Sequence, residues 1–193
     1  MRTKFTERHR QISFRFKEIM QIMGLDVNND NSLKDTPDRW AKMMLDELAV
    51  TVGEADIDVK TFDNDMGYDQ MIMEKDIRVV SMCEHHFVPF VGVAHIAYIP
   101  GDKIIGLSKF HRVVNHYSAR PQVQERLTQQ VAKRLMEILN VEDVAVVINA
   151  KHLCCGIRGV KDPNSFTLTS ALSGRFRDVP EVRQEFFDLV NSK

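Results

Sequence analysis

Little in this sequence points to the cell exterior, to a membrane or to nucleic acid. Three of its 193 residues are cysteine, an odd number with two adjacent (Cys154 and Cys155). That is a poor disulfide framework and a better source of metal ligands or catalytic thiols. Glycine (9) and proline (6) are scarce, which excludes collagen-like and low-complexity chains. Net charge is nearly absent: 26 Lys and Arg stand against 27 Asp and Glu. No global basic field exists to hold nucleic acid, so any anion must be caught locally. Apolar stretches break after a handful of residues, too few to span a bilayer. Near the start, Glu7, Arg8, His9 and Arg10 stand where a secretory leader carries its apolar core. The expectation is a cytoplasmic protein with no membrane or nucleic-acid partner.

What is present is a globular composition, 44% hydrophobic and 27% charged, in a chain long enough for one domain with a helical appendage. Such a chain buries roughly 70% of its unfolded surface and needs no staples. Ile12, Phe16, Ile19, Met20 and Met23 recur at helical spacing, with Gly24 behind them as a cap. Thr36 as N-cap and Pro37 at the first helical position open a second helix carrying Trp40, Met43, Met44 and Leu48. These form an N-terminal helical segment over 1–52. A second segment, 53–193, opens with an irregular acidic loop from Gly53 to Gly67.

The spacing then predicts strands over Ile77–Met82 and Val88–Ile99, a short helix capped by Ser108, and a longer one with Pro121 at its first position. Strands return at Val144–Ile148 and Phe166–Leu172, and a helix with Val182, Phe186 and Leu189 closes the chain. The order is an α+β layer whose sheet edges need cover or a partner chain. Trp40, the Met-rich helices and His95 read as packing.

Chemistry concentrates in two clusters. Cys83-Glu84-His85-His86 sets a thiol, a carboxylate and two imidazoles in four positions, and His152-Leu153-Cys154-Cys155 lies far downstream. Zinc takes Cys sulfur and His nitrogen tetrahedrally, and three protein ligands leave one vertex for a water whose pKa falls to about 7. The best triad is Cys83, His86 and Cys154. By spacing alone, Cys155, His85 or His152 could add a fourth ligand and close the site. The zinc-protease pattern His-Glu-x-x-His and the downstream Cys-x-x-Cys of zinc deaminases are both missing. Between the clusters stand Ser108, Lys109, His111, Arg112, Arg120 and Arg126, followed by Arg158 and Lys161. A helix start beside Lys109 and Arg112 suits a polyphosphate. Gln124 and Glu125 place an amide and a carboxylate side by side for a purine's N–H groups.

Four stretches in order carry a resemblance: Ser81-Met82-Cys83-Glu84-His85-His86, Gly106-Leu107-Ser108-Lys109, Arg120-Pro121-Gln122-Val123-Gln124-Glu125-Arg126-Leu127-Thr128, and His152-Leu153-Cys154 through Arg158-Gly159-Val160. Together they resemble GTP cyclohydrolase I, from about Thr36 to the last helix. The resemblance implies a tunnelling fold, an antiparallel four-stranded sheet with two helices on one face. It further implies a decamer of two pentamers, with active sites between subunits. By the same resemblance Cys83, His86 and Cys154 are the Zn2+ ligands, and His85, His152 and Ser108 are catalytic. Gln124 and Glu125 hold the guanine edge, while Lys109, Arg112 and Arg158 join Ser108 on ribose and triphosphate.

The implied reaction takes GTP to 7,8-dihydroneopterin triphosphate: water adds at C8, His152 protonates the adjacent nitrogen, formate leaves, and the opened ribose rearranges and recloses. Val93, His111, Cys155 and Gly156 depart from the family's usual residues without touching an assigned role. Three alternatives share the scaffold: a nitrile-reducing relative, against which Cys-x-x-His argues; an enzyme that stops at a formylated product; and a non-catalytic zinc or purine-binding regulator.

Overall fold

The structure, a computed structural model, describes residues 5–192. It divides into two compact units, one ending at Val52 and the other beginning at Gly53.

In the first unit α1 (Glu7–Ile22) and α2 (Thr36–Met43) pack together, and a π-helical turn, Met44–Leu48, prolongs α2. Phe16 and Trp40 stack at 4.3 Å between ring centroids. Ser13 donates to Asp38 at 2.6 Å, and buried His9 lies 3.0 Å from Asp46. Helix α1 ends as its sequence predicts. Gly24 sits at φ +86° and donates to the Gln21 carbonyl while Leu25 donates to that of Met20, the paired bonds of a left-handed helix stop. At α2 the boundary moves by one residue: Asp35 is the cap and Thr36 is already helical.

The second unit runs β1 (Thr61–Asp63), β2 (Ile72–Cys83), β3 (Pro89–Tyr98), β4 (Lys103–Ile105), α3 (Leu107–Ser118), β5 (Pro121–Gln122), α4 (Gln124–Leu139), β6 (Val144–His152), α5 (Leu153–Gly156), β7 (Thr167–Leu172), α6 (Arg175–Asp178) and α7 (Pro180–Asn191). It is α+β. The main sheet has the order β5-β2-β3-β6-β7, antiparallel throughout except that β5 runs parallel to β2. Strands β1 and β4 form a separate antiparallel pair.

The expected four antiparallel strands are therefore joined by a fifth, and the region expected to be loop from Gly53 to Gly67 contains β1. Along β3 the period-two alternation holds, but both faces are apolar. Ala94, Ile96 and Tyr98 pack under α3 and α4 with Phe110, Val113 and Leu127. Ala97 and Ile99 meet Phe176 and Phe186 of α6 and α7 on the other side.

Two helix starts differ from expectation. Helix α3 is capped by Gly106, so Ser108 lies inside its first turn. Pro121 belongs to β5, and α4 begins at Gln124 after Val123. The reason is hydrogen bonding beside β2: the Arg120 carbonyl accepts from Ser81 Oγ at 3.1 Å, and the Gln122 carbonyl accepts from the Glu84 amide at 3.1 Å. Backbone groups so engaged cannot also begin a helix.

Candidate active site

The turn from β2 to β3 is built around Cys83. Its carbonyl accepts from the Phe87 amide at 2.8 Å, and its own N–H donates to Val88 at 2.9 Å. Phe87 adopts φ +53° to close the turn. His85 and His86 are thereby held at the exposed tip, with Cys83 buried at its base. Strand β6 ends opposite: Phe90 and His152 are cross-strand partners, and α5 begins immediately after His152, carrying Cys154.

These two elements bring Cys83, His86 and Cys154 together, their candidate ligand atoms all within 4.8 Å of one another. Donor atoms around tetrahedral zinc are separated by about 3.3–3.8 Å, from bond lengths near 2.0–2.3 Å. The three side chains need only a small contraction to share an ion, and two sulfurs with one imidazole suit zinc chemically. Among the described residues His85, His152 and Cys155 do not join this group. His85 Nδ1 stands 3.8 Å from Cys83 Sγ, and Cys155 is exposed. Burial pushes the Cys154 thiol up to about 11, and its contacts with Cys83 and Cys155 push the same way. A divalent cation reverses that preference by binding the thiolate.

His152 is fixed on two sides. Its ring stacks on Phe90 at 4.6 Å with 10° between planes, and its Nε2 lies 2.7 Å from Gln124 Oε1. Burial lowers its pKa, opposed by the negative charge of nearby Glu125. Gln124 itself is buried, and its amide nitrogen lies within 3.0 Å of Ile148 O, Thr167 O and Thr169 Oγ1. The Gln124 amide that the sequence offered to a base edge is thus committed inside the chain. Glu125, one residue on, is exposed, and its carboxylate makes no hydrogen bond among the described residues.

Two further residues here were not singled out as site residues by the sequence reading. Glu84 pairs with Arg126, and Arg126 Nε donates to Gln122 at 3.0 Å, tying the histidine turn to the start of α4. Only spacing across 42 positions links the pair in sequence, and spacing carries no such signal. Arg158 also reaches the cluster, its guanidinium donating to His86 Nε2 at 2.8 Å.

Ser108, Lys109 and Arg112 are not brought to this place. Helix α3 starts at the Tyr98 end of β3, where the Tyr98 hydroxyl accepts from the Ile105 amide at 3.2 Å. The cluster is at the Phe90 end, eight residues away, or roughly 26 Å along the strand. Helix α3 returns along that span, so Ser118 lies near the cluster and Leu107 sits roughly 17 Å away along the helix axis.

The chain is similar to proteins of one family. The pattern describing GTP cyclohydrolase I matches residues 12–191. A protein of Flavobacterium johnsoniae named GTP cyclohydrolase 1 is 47% identical over 175 residues, covering 90% of this chain and 78% of the relative. One of Shewanella sp. strain ANA-3 with the same name is 49% identical over 183 residues, 94% and 84% of the two chains. One of Mannheimia succiniciproducens, again of that name, is 44% identical over 186 residues, 96% and 85%.

Proposed function

Because the chain belongs to the GTP cyclohydrolase I family, we propose that it converts GTP to 7,8-dihydroneopterin triphosphate and formate in a zinc-dependent reaction on a tunnelling fold. The observation that carries the reading is the Cys83, His86 and Cys154 group with His152 and Glu125 beside it. Zinc, when bound there, supplies Lewis acidity that makes hydroxide available near neutral pH.

The chain's own residues do the rest. Glu125 accepts the N–H groups of the guanine edge, which orients C8 toward the cluster. Half-buried His152, its pKa lowered by desolvation, takes the proton released as water adds at C8 and returns it to the adjacent ring nitrogen. His85, at the exposed turn, serves the later proton transfers of formate release and ribose opening. Arg158 supplies a cation for the triphosphate at the same end of the sheet.

Ser108, Lys109 and Arg112 complete the phosphate and ribose contacts only if a second copy brings its α3 start to this cluster. The sheet has edges for that association. Strand β2 is paired with β5 only at Met82 and Cys83, and on the opposite edge Phe166 and Leu168 are 60% and 63% exposed. A homo-oligomer joined by these edges, in the form of two face-to-face pentamers, gives each site residues from two chains. No helix is long and apolar enough to cross a membrane among the described residues, which accords with a cytoplasmic enzyme.

The test is incubation of the purified protein with GTP, reading formate and the fluorescence of the oxidised product. Both are expected, lost on chelation and restored by zinc. A formylated product without free formate would instead assign an enzyme that stops early.

A further inference from the structure

We propose that Gln124 is a positioning residue that holds His152 in the tautomer protonated on Nε2, so that Nδ1 is the nitrogen that exchanges protons with the ligand. The orientation of the Gln124 amide decides this. Its nitrogen faces two carbonyl oxygens, Ile148 O at 3.0 Å and Thr167 O at 2.9 Å. Turning the amide over would set oxygen against both, leaving repulsive contacts and buried groups unpaired. The hydroxyls nearby enforce the same sense. Thr128 donates to the Gln124 backbone carbonyl at 2.8 Å, so Thr169 donates to Thr128 at 2.7 Å and turns only a lone pair toward the Gln124 amide nitrogen at 3.0 Å.

With its nitrogen so fixed, Gln124 presents Oε1 to His152, and an oxygen there can only accept. The 2.7 Å contact therefore requires a proton on Nε2. Stacked on Phe90, the ring has one other orientation in the same plane, a half-turn about Cβ–Cγ, which would set Cε1 against Oε1 and lose the bond. Among the described residues nothing hydrogen-bonds Nδ1, which keeps its lone pair in the neutral ring. In turnover Nδ1 gains the proton that breaks from the attacking water and loses it to the purine nitrogen, while the other proton stays on Nε2, donated to Gln124 Oε1. The tautomer stands on the hydrogen bonds alone; the use of Nδ1 rests on the GTP reading above.

The experiment uses zinc-loaded full-length protein labelled with 15N,13C-histidine, with the His152 signal identified by its loss in His152→Asn. In the wild type the protonated ring nitrogen is expected to correlate with Cδ2, as Nε2 does. Gln124→Met, similar in length but unable to accept, should lose that preference and lower kcat roughly a hundredfold, the scale of one general acid–base group, with KM little changed.

A wild-type signal protonated on Nδ1 overturns the proposal, and so does a rise in KM at unchanged kcat in Gln124→Met, which marks a direct base contact. Should Gln124→Met not fold, the wild-type spectrum still decides. A protein that shows the Nε2 tautomer but releases no formate from GTP would refute the GTP reading and leave the positioning role intact.

Discussion

Cys154 and His95 are both titratable groups held in their neutral forms by burial, and the two have opposite uses. For Cys154 burial pushes the thiol up to about 11, a state that costs free energy to ionise unless a cation takes the thiolate. Cys154→Ser removes one of the three candidate ligands found among the described residues, and we expect it to lose bound zinc and formate release together, as metal analysis and a turnover assay on one sample will show. His95 sits 8% exposed in β3, where burial lowers its pKa against the opposing charge of Asp76, with Lys75 adding to the lowering.

A histidine that resists protonation when folded binds its proton more readily when unfolded. Stability from this group is therefore complete above its ordinary pKa of 6.5 and declines as pH falls below that value toward the folded pKa. His95→Gln is expected to flatten part of that decline in denaturant titrations between pH 7 and 5. At this scale the metal group was legible, because ligand type and the two-residue gap from Cys83 to His86 carry it. The inward commitment of Gln124 was not, since its partners Ile148 and Thr167 lie 24 and 43 residues away and no local pattern marks them.

Among the elements, β5 shows what sequence periodicity misses. Two residues cannot display alternation, yet their pairing with Met82 and Cys83 sets the start of α4 beside the histidine turn. Proline before a helical pattern reads as a helix start, and here the sheet ladder overrides it. The longer strands were legible because β-branched residues alternate in them, although β2 begins at Ile72, earlier than its alternation suggests. There a bulge between Glu74 and Ile77, with Asp76 at φ +54°, interrupts the pattern.

Gly92 makes the β3–β6 contact possible. A Cβ added there would lie 2.0 Å from Asn149 O and 2.5 Å from the Ala150 Cα, backbone atoms that can yield only by separating the strands. Gly92→Ala is expected to destabilise the protein by roughly 3 kcal/mol or more, read as a shift in the denaturation midpoint. Because the same pair positions His152, residual folded protein should also lose activity.

For the whole molecule, the separation of Ser108 and Lys109 from the Cys83, His86 and Cys154 group is the feature the sequence order hid. Motifs in series along a chain say nothing about which end of a sheet each occupies. If sites form between copies, two inactive variants should rescue one another. Cys154→Ser and Lys109→Ala, co-expressed in equal amounts, are expected to give about a quarter of wild-type activity, since each site then needs an intact cluster from one copy and an intact α3 from its neighbour. Mixtures that remain inactive would place the whole site in one chain.

The central claim concerns an ion held by two sulfurs and one imidazole with a coordination position left open. X-ray absorption at the zinc edge of the purified, catalytically active protein reads that shell directly. Two sulfur neighbours near about 2.3 Å and two lighter ones near about 2.0–2.1 Å, one an imidazole and the other displaced when nucleotide is added, is the expected result. Three sulfurs, two imidazoles, or a shell indifferent to nucleotide would contradict it.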